Sequence, residues 1–483
     1  MTNPRQSPTP TTIDHMRQRF GKPYRWYVLV TVMVGMMASI ISSTIVNVAI
    51  PDLTRHFTVG QERAQWISAG FMIAMTLALT ATPWLLGRFG LRRTYAGACL
   101  LLMAGGIGGG FSNDFTLLIA MRVAEGIAAG ILQPIPNVVI MRAFAVHERG
   151  RAIGIFGLGV VLAPAIGPSV GGFLVEQFGW RSIFFVVVPL CLVALALAKV
   201  FLPAVSSFIE PKRPLDWKGL LWISAGTLLL LNGMVQLHAA PLWVALAMIA
   251  AGFAGIGSFV FYQLRKRDPL LHVRLFQHRQ LSMGALVAFV YGFAIFGSTY
   301  LLPVFLQMAL HYTPSAAGLV LLPAGLVLAV TMLVAGRMSD SFSASRMVTI
   351  GAMLMAISLA LMAEVGALTP YFLLVGFVIV GRVGLGLIMP ALSLGSVAEL
   401  QQHEMPQAVS MVSFMCQLGG AMGVSMVGIV LEWRLAATGA NAAGEAGTLL
   451  PAFGQTFLFL AAVSCCAAFA AWFMKPRRRQ LAA

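Results

Sequence analysis

The chain has 483 residues, of which 59% are hydrophobic and 10% are charged, and its mean hydropathy is +0.86. Because a soluble domain carries about 25% charged residues, this composition excludes a water-soluble fold. The formal net charge of +16 is spread over the ends of apolar segments rather than gathered in one domain, which argues against a nucleic-acid-binding protein.

Apolar segments follow one another from Tyr24 to Lys475, each roughly long enough to cross about 30 Å of hydrocarbon as a helix. Six lie in the first half, at 26–50, 65–86, 94–111, 115–141, 152–175 and 183–203. Two more lie at 218–237 and 242–264, and a second set of six lies at 284–309, 314–336, 347–366, 370–391, 407–431 and 453–474. The sequence therefore predicts an all-α polytopic membrane protein with two six-helix bundles and two additional central transmembrane helices.

The polar connections predict how the chain is divided and oriented. Most of the 32 Lys and Arg residues fall on alternate connections, which by the positive-inside rule places both termini in the cytoplasm. The connection 393–406 is an exception, because it carries Glu399 and Glu404 without Lys or Arg. The predicted parts are a cytoplasmic tail (1–24), an N-terminal six-helix bundle (25–204), a linker (205–217), two inserted transmembrane helices (218–264), a linker (265–282), a C-terminal six-helix bundle (283–475) and a cytoplasmic tail (476–483).

The first apolar segment is too long for a signal-peptide core, so we expect it to remain in the mature protein. The five cysteines lie within apolar segments and lack metal-ligand spacing, which predicts small buried side chains. We expect neither a cofactor nor a metal. The connections within each set of six are too short to fold as catalytic domains, so function is expected between the helices.

Short motifs occur in order along the first half. They are Ser43-Thr44-Ile45-Val46-Asn47-Val48-Ala49-Ile50-Pro51, Gln65-Trp66-Ile67, Gly87-Arg88-Phe89-Gly90-Leu91-Arg92-Arg93, Arg122-Val123-Ala124-Glu125-Gly126, the glycine- and proline-rich run from Gly159 through Pro164, Gly167 and Pro168 to Gly171 and Gly172, and Trp180-Arg181. A loop with Asp340 lies at the matching place of the second half. Together these motifs resemble the major facilitator superfamily, and in particular its fourteen-helix drug:proton antiporter branch.

The resemblance implies two related six-helix halves and proton-driven export of drug-like molecules. It also implies a role in gating for the signature loop, through Gly87, Arg88, Gly90, Arg92 and Arg93, and for Asp340. The run in the fifth segment is similar to the antiporter signature of exporters. A positive-inside anchor with a turn glycine is the alternative for the loop, and a structural kink is the alternative for the proline-rich run.

Four residues depart from the pattern of that branch. Ser42 stands where the first-helix motif commonly has Asp, and Gly87 replaces the carboxylate of the signature loop. Cys416 replaces an Arg before a Gln-Leu-Gly-Gly run. Glu125 replaces the usual Gln, which adds a carboxylate to the fourth segment.

Arg122 and Glu125 are the candidate site for proton coupling or substrate charge. An ionisable residue inside a membrane is costly unless it is paired or faces water, and residues three apart share a helix face. A motion that changes the separation or hydration of this pair would load and release a proton. A fixed ion pair that holds the fourth segment to its neighbours is the alternative.

Other polar residues within the apolar segments are candidates for a substrate cavity. Arg382 lacks an acidic partner in its own segment, so it either contacts substrate, snorkels to the interface or caps backbone carbonyls. Interhelical hydrogen bonding is the simpler explanation for most of the uncharged ones. The candidate cavity residues are Asn47, Trp66, Gln133, Asn137, Gln307 and Arg382.

The sequence favours a proton-coupled efflux permease for amphipathic, cationic or neutral small molecules. An uptake symporter for a small organic solute is the main alternative. An enzyme or a nucleotide-driven pump is disfavoured, because the chain has no His-Glu-x-x-His, nucleophile elbow or Gly-Lys-Ser/Thr loop. The resemblance implies protons, a small-molecule substrate and the bilayer of the inner membrane as partners. In bacteria with two membranes it further suggests a periplasmic adaptor and an outer-membrane channel.

Overall fold

The computed structural model describes residues 21, 23–59, 66–203, 215–237, 241–266, 269, 271–312, 314–366, 368–437 and 446–474. Within these ranges the secondary structure is helical, with no strand. The α-helices are α1 (Tyr24–Phe57), α2 (Trp66–Gly110), α3 (Phe115–Leu132), α4 (Ile135–Ala143), α5 (Arg149–Phe178), α6 (Ser182–Phe185), α7 (Val187–Phe201), α8 (Trp217–Val235), α9 (Leu242–Arg265), α10 (Arg279–Met308), α11 (Pro314–Met338), α12 (Ala344–Ala363), α13 (Tyr371–Gly395), α14 (Met405–Ala437) and α15 (Ala446–Trp472).

Eleven of the helical segments searched in the described residues are long and apolar enough to cross a membrane. One of these, α2, has 45 residues and contains both the second and the third predicted segments. It bends at Gly90, whose φ of 78° and ψ of 170° are not helical. Helices α5 and α8 are outside the eleven, yet α5 contains the predicted segment 152–175 and α8 covers all but the last two residues of 218–237. The all-α polytopic prediction is confirmed, whereas the count of fourteen crossings stays a prediction.

Proline and local backbone geometry divide two other predicted segments. The fourth segment is split into α3 and α4 at Gln133-Pro134, because a proline inside a helix removes a backbone donor. The sixth is split into α6 and α7 at Val186. Helix α3 begins where Asp114 accepts a hydrogen bond from the backbone N–H of Leu117 at 3.0 Å, as a capping residue does.

The chain divides into two compact units, Met1–Phe144 with Ile166–Leu215, and Ala145–Ala165 with Asp216–Ala483. In the first unit α2 packs along α3, and α1 packs on α7. In the second, α10 packs against α14, α12 against α13 and α15, and α11 against α13. The core of the second unit contains Leu301, Phe305, Phe453, Phe457 and Leu460, all of them almost fully buried. Helix α5 contributes residues to both units. The predicted domain boundaries stay a prediction.

Helices α8 and α9 form a hairpin within the second unit. They approach closely at Gly226 and Gly255, where a Cβ added to Gly255 would lie 2.9 Å from the Cα of Gly226. At one end of the hairpin, the Asp216 carboxylate accepts hydrogen bonds from the backbone N–H of Gly219 at 3.0 Å and from the Gln263 side-chain amide at 2.9 Å. The Lys266 ammonium lies 2.7 Å from the same carboxylate. The two inserted helices are therefore joined by glycine packing and by one buried carboxylate.

The prediction that all five cysteines are buried is wrong for some of them. Cys99 and Cys191 are buried, Cys416 is half-buried, and Cys465 and Cys466 are exposed on α15. All five are free thiols. Large apolar side chains are exposed as well, including Phe372 at 85% and Trp243 at 74%. A chain that turns apolar side chains toward lipid has no need to bury every small hydrophobe.

Candidate functional site

The fourth predicted segment carries two ionised side chains into the interior of the first unit. Arg122 and Glu125 lie on one face of α3, and each is only 1% exposed. The guanidinium Nη1 donates a hydrogen bond to Glu125 Oε2 and forms a salt bridge with it. Because removing two charges from water is costly, the pair persists only with good geometry and additional hydrogen bonds.

The first two helices supply those additional contacts to Arg122. Nη1 also donates to the Ser42 carbonyl at 3.2 Å and to the Ser42 hydroxyl at 3.1 Å. Nε donates to the carbonyl of Ile67 at 3.2 Å, and the guanidinium lies 4.4 Å from the centre of the Phe71 ring. Nη2 is buried without a hydrogen-bond partner in the described part of the chain. Arg122 thus joins α1, α2 and α3 and keeps one donor unused.

Glycines on α2 make room for Glu125. A Cβ added to Gly105 would lie 2.6 Å from Glu125 Cγ, and one added to Gly106 would lie 3.4 Å from Oε1. Gly126 allows a similar approach to the Phe71 carbonyl on the other side of α3. Replacing any of these glycines would push α2 and α3 apart at the level of the ion pair.

The serine at position 42 sets the charge of this cluster. Its hydroxyl accepts from Arg122 where the family pattern places a carboxylate. The cluster is therefore neutral when Glu125 is ionised and carries one positive charge when Glu125 is protonated. One proton changes the net charge of a buried site, which is the chemical requirement for coupling.

The fifth predicted segment folds as α5, and its motif glycines contact α1. A Cβ at Gly167 would overlap the Thr44 hydroxyl, and one at Gly171 would lie 2.5 Å from Ile45 Cγ1. Gly172 is less crowded, with Val48 at 3.9 Å, and Gly159 is buried. The side chains of Pro164 and Pro168 lie outside the described residues. Gly167 and Gly171 therefore permit close packing of two helices.

The two predicted gating loops have different local structures. The first loop contains Gly87, Arg88, Gly90, Arg92 and Arg93. Its backbone bends at Gly90, where the positive φ favours glycine, and the side chains of Arg88 and Arg93 are exposed. In the second unit Asp340 accepts from the backbone N–H groups of Gly150 at 2.7 Å and Arg151 at 3.2 Å. Asp340 thus places a negative charge at the N-terminus of α5, where the helix dipole favours it.

The candidate cavity residues differ in their exposure and in the unit to which they belong. Trp66 begins α2 and is 49% exposed, and Gln307 is exposed on α10. The side-chain oxygens of Gln133 and Asn137 are buried without a partner in the described residues. The side chain of Asn47 lies outside the described residues. Arg382 lines a small cavity inside the second unit.

Sequence reasoning found the charged pair but missed its surroundings. Ser42, Phe71, Gly105 and Gly106 were not predicted as site residues. Ser42 could have been found from its place in the first-helix motif, since the family uses that position for a polar group. Phe71 and the two glycines give no such signal, because apolar residues and glycines are abundant in every segment.

Comparisons with known proteins agree with this architecture. Residues 32–424 and 284–482 match the profile described as Major Facilitator Superfamily. The chain is 31% identical over 412 residues to the multidrug resistance protein B homolog of Mycobacterium tuberculosis, covering 84% of this chain and 76% of that protein. It is 26% identical over 404 residues to the riboflavin transporter RibZ of Clostridioides difficile, covering 83% and 87%.

A solved structure supports the same fold. The human organic anion transporter MFSD10 superposes with a TM-score of 0.67 at 15% identity, covering 91% of this chain and 99% of that one. At this identity the likeness concerns the fold alone. From the profile match, the relatives and the fold, the chain belongs to the Major Facilitator Superfamily of membrane transporters.

Proposed function

We propose that this transporter is a proton-coupled antiporter that exports amphipathic drug-like or toxic small molecules by alternating access. The observation that carries the proposal is the buried Arg122–Glu125 pair with its Ser42 contact. The relative named as a multidrug resistance protein supports export, and the proline- and glycine-rich α5 supports a moving helix.

Proton coupling follows from the charge of the cluster. In one state Glu125 is ionised and bound to Arg122. Protonation removes the salt bridge and leaves a buried cation, which favours a second arrangement where Arg122 meets water or the Nη2 donor finds a partner. A single charge crossing about 100 mV supplies about 2.3 kcal/mol, which corresponds to roughly a fiftyfold concentration ratio.

Asp340 and α5 supply the mechanical part of the proposal. The carboxylate holds the N-terminus of α5 next to α11, and Gly336 and Gly154 allow close contact there. Release of this contact frees α5 to move, and the prolines further along the helix supply a pivot. Gly87 offers no equivalent carboxylate in the first-half loop, so the proposed gate depends on Asp340.

The proposed location is the inner membrane with both termini in the cytoplasm, as the positive-inside pattern of the connections favours. Substrate and protons are the proposed partners. In a bacterium with two membranes, a periplasmic adaptor and an outer-membrane channel would carry the exported substrate out of the cell.

A proton-coupled uptake symporter is the second candidate, and the relative named as a riboflavin transporter favours it. The two functions differ in the direction of net transport. A symporter would accumulate a solute when the outside is acidic, whereas an antiporter would remove it from the cytoplasm under the same gradient.

Expression in a drug-hypersensitive bacterial host tests the proposal. We expect resistance to a set of amphipathic compounds, loss of that resistance with a protonophore, and loss with Glu125→Gln. Glu364→Gln is the matched control, since this carboxylate follows the end of α12 and belongs to the other unit. Unchanged resistance and unchanged pH dependence in Glu125→Gln would refute proton coupling at this site.

A further inference from the structure

Two helices of this chain carry the same short motif around an arginine, which is buried in the first helix and half-buried in the second. Arg122-Val123 is followed by Gly126 on α3, and Arg382-Val383 is followed by Gly386 on α13. Each helix contains the fourth apolar segment of its set of six. Gly126 contacts the Phe71 carbonyl of α2, and a Cβ at Gly386 would lie 2.8 Å from Thr331 of α11. The two arginines therefore occupy equivalent places in the two repeats.

The repeats differ at the residue that balances the charge. Position 125 is Glu, whereas the equivalent position 385 is Leu, which is 1% exposed. No salt bridge or hydrogen bond of Arg382 is present among the residues that the structure describes. A cation within a membrane-spanning helix is costly when it lacks a carboxylate partner, which makes this residue a candidate for a functional role.

Snorkelling does not relieve this cost. Arg382 lies in the middle of the 25-residue helix α13, about 16 Å from one end and about 20 Å from the other at the helical rise per residue. These distances exceed the reach of an arginine side chain. Capping of a backbone carbonyl is likewise not observed in the described residues.

Arg382 is one of the residues that line a small cavity in the second unit. The cavity is lined by α10, α12, α13 and α15, with Ser298 and Ser358 as its uncharged polar residues, and it has room for about two water molecules. The serine hydroxyls donate to the Ile295 carbonyl at 3.1 Å and to the Phe377 carbonyl at 2.6 Å. Their oxygens can accept from Arg382 but cannot neutralise it.

We propose that Arg382 and this cavity form a subsite for an anionic oxygen group, such as a carboxylate, sulfonate or phenolate, on an amphipathic substrate. The inference rests on the proposed function and extends its substrate class from cationic and neutral molecules to anion-bearing ones. The cavity size suits the charged group by itself, and the planar guanidinium offers paired donors to its oxygens. Met355, Met362 and Phe457 supply the apolar rim.

A pair of fluorescent probes tests the subsite. The anionic 1-anilinonaphthalene-8-sulfonate and the neutral N-phenyl-1-naphthylamine share the same ring systems and differ by the sulfonate. Saturable binding of both is measured on purified full-length protein in nanodiscs. Because a hydrogen bond to a charged group contributes about 1.5–3 kcal/mol, Arg382→Gln is expected to weaken sulfonate binding by about 10- to 150-fold and to change neutral-probe binding by less than about twofold.

Two further variants keep the test decisive. Arg382→Lys, which retains charge without the planar fork, is expected to give an intermediate loss. Arg346→Gln, which removes an exposed arginine at the start of α12, is expected to change neither affinity. Failure of the wild-type protein to bind the sulfonate, unchanged affinity in Arg382→Gln, or equal loss for both probes would overturn the subsite. Equilibrium binding needs no proton gradient, so this result is separate from a failure of proton-driven export.

Discussion

Arg122 and Arg382 show how one helical motif is used differently in the two halves. Arg122 is neutralised by Glu125 and held by Ser42, Ile67 and Phe71. Arg382 has Leu385 in place of the glutamate and faces a cavity instead. The first arginine forms a closed pair whose charge depends on a proton. The second remains available to a ligand that brings its own negative charge.

The largest expected difference is in stability. Arg122→Leu leaves Glu125 buried without its cation and should destabilise the protein by about 3–5 kcal/mol, because removing one partner of a buried pair exposes the full desolvation cost of the other. Arg382→Leu removes a charge that has no carboxylate partner, so its effect should be within about 1 kcal/mol or stabilising. Melting temperatures of the two purified variants compare them directly.

The double variant Arg122→Leu with Glu125→Leu is the matched control. Replacing both charges by apolar groups should recover most of the stability lost in Arg122→Leu. Equal losses for Arg122→Leu and Arg382→Leu would mean that the two arginines have the same structural role and that the comparison is wrong.

A second prediction concerns a variant in which Arg382 gains the carboxylate neighbour that Arg122 has. Leu385→Glu places a carboxylate three residues after Arg382, as Glu125 stands after Arg122. The new glutamate should pair with Arg382 and lower affinity for the anionic probe by about 10-fold or more, with little change for the neutral probe. Leu385→Gln, which adds similar volume without charge, is the control. Unaltered anion binding in Leu385→Glu would contradict the assignment of Arg382.

The surroundings of Arg122 are more predictable from the sequence than those of Arg382. The spacing of Arg122 and Glu125 predicts their contact, because residues three apart share a helix face. The polytopic all-α fold is equally predictable from apolar length. The cavity that Arg382 lines is formed by α10, α12 and α15 together with its own helix α13, so it requires the packed structure. The helix break at Pro134 divides a segment that composition alone leaves continuous, whereas the bend at Gly90 lies within the predicted polar connection 87–93.

A smaller effect on stability is expected from the gating loop that contains Asp340. Asp340→Ala should remove the acceptor for Gly150 and Arg151 and destabilise the N-terminus of α5 by about 0.5–2 kcal/mol, as loss of a helix cap does. Ser341→Ala, one residue further on at an exposed position, is the control. The readout is hydrogen exchange of the first turn of α5, which should quicken in Asp340→Ala. Protection equal to that of the wild type would show that the carboxylate does not hold this helix end.

The hairpin of α8 and α9 gives the smallest expected effect and a dependence on pH. Burial alone would raise the pKa of Asp216, but hydrogen bonds from Lys266, the Gly219 N–H and Gln263 outweigh it and lower the pKa below its ordinary value. A carboxyl whose folded-state pKa is lowered contributes stability above its unfolded pKa, near 3.9, and loses it as the pH falls through the folded value.

Asp216→Asn should therefore cost about 1 kcal/mol at pH 7, since the amide keeps part of the hydrogen bonding. The difference in melting temperature from wild type should shrink below about pH 4. Asp52→Asn, at a half-buried position on α1, is the control that reports general charge effects. A difference that stays constant with pH would contradict the ionised state assigned to Asp216.

Proton release on substrate binding tests the central claim most directly. A compound to which the transporter confers resistance, and which does not itself titrate in the pH range used, is added to purified protein in weakly buffered solution. A pH indicator measures the protons released. The account predicts a pH-dependent proton signal in the wild-type protein and in Glu364→Gln, and its loss in Glu125→Gln despite retained substrate binding. An equal proton signal in Glu125→Gln would place the coupled proton elsewhere and contradict the account.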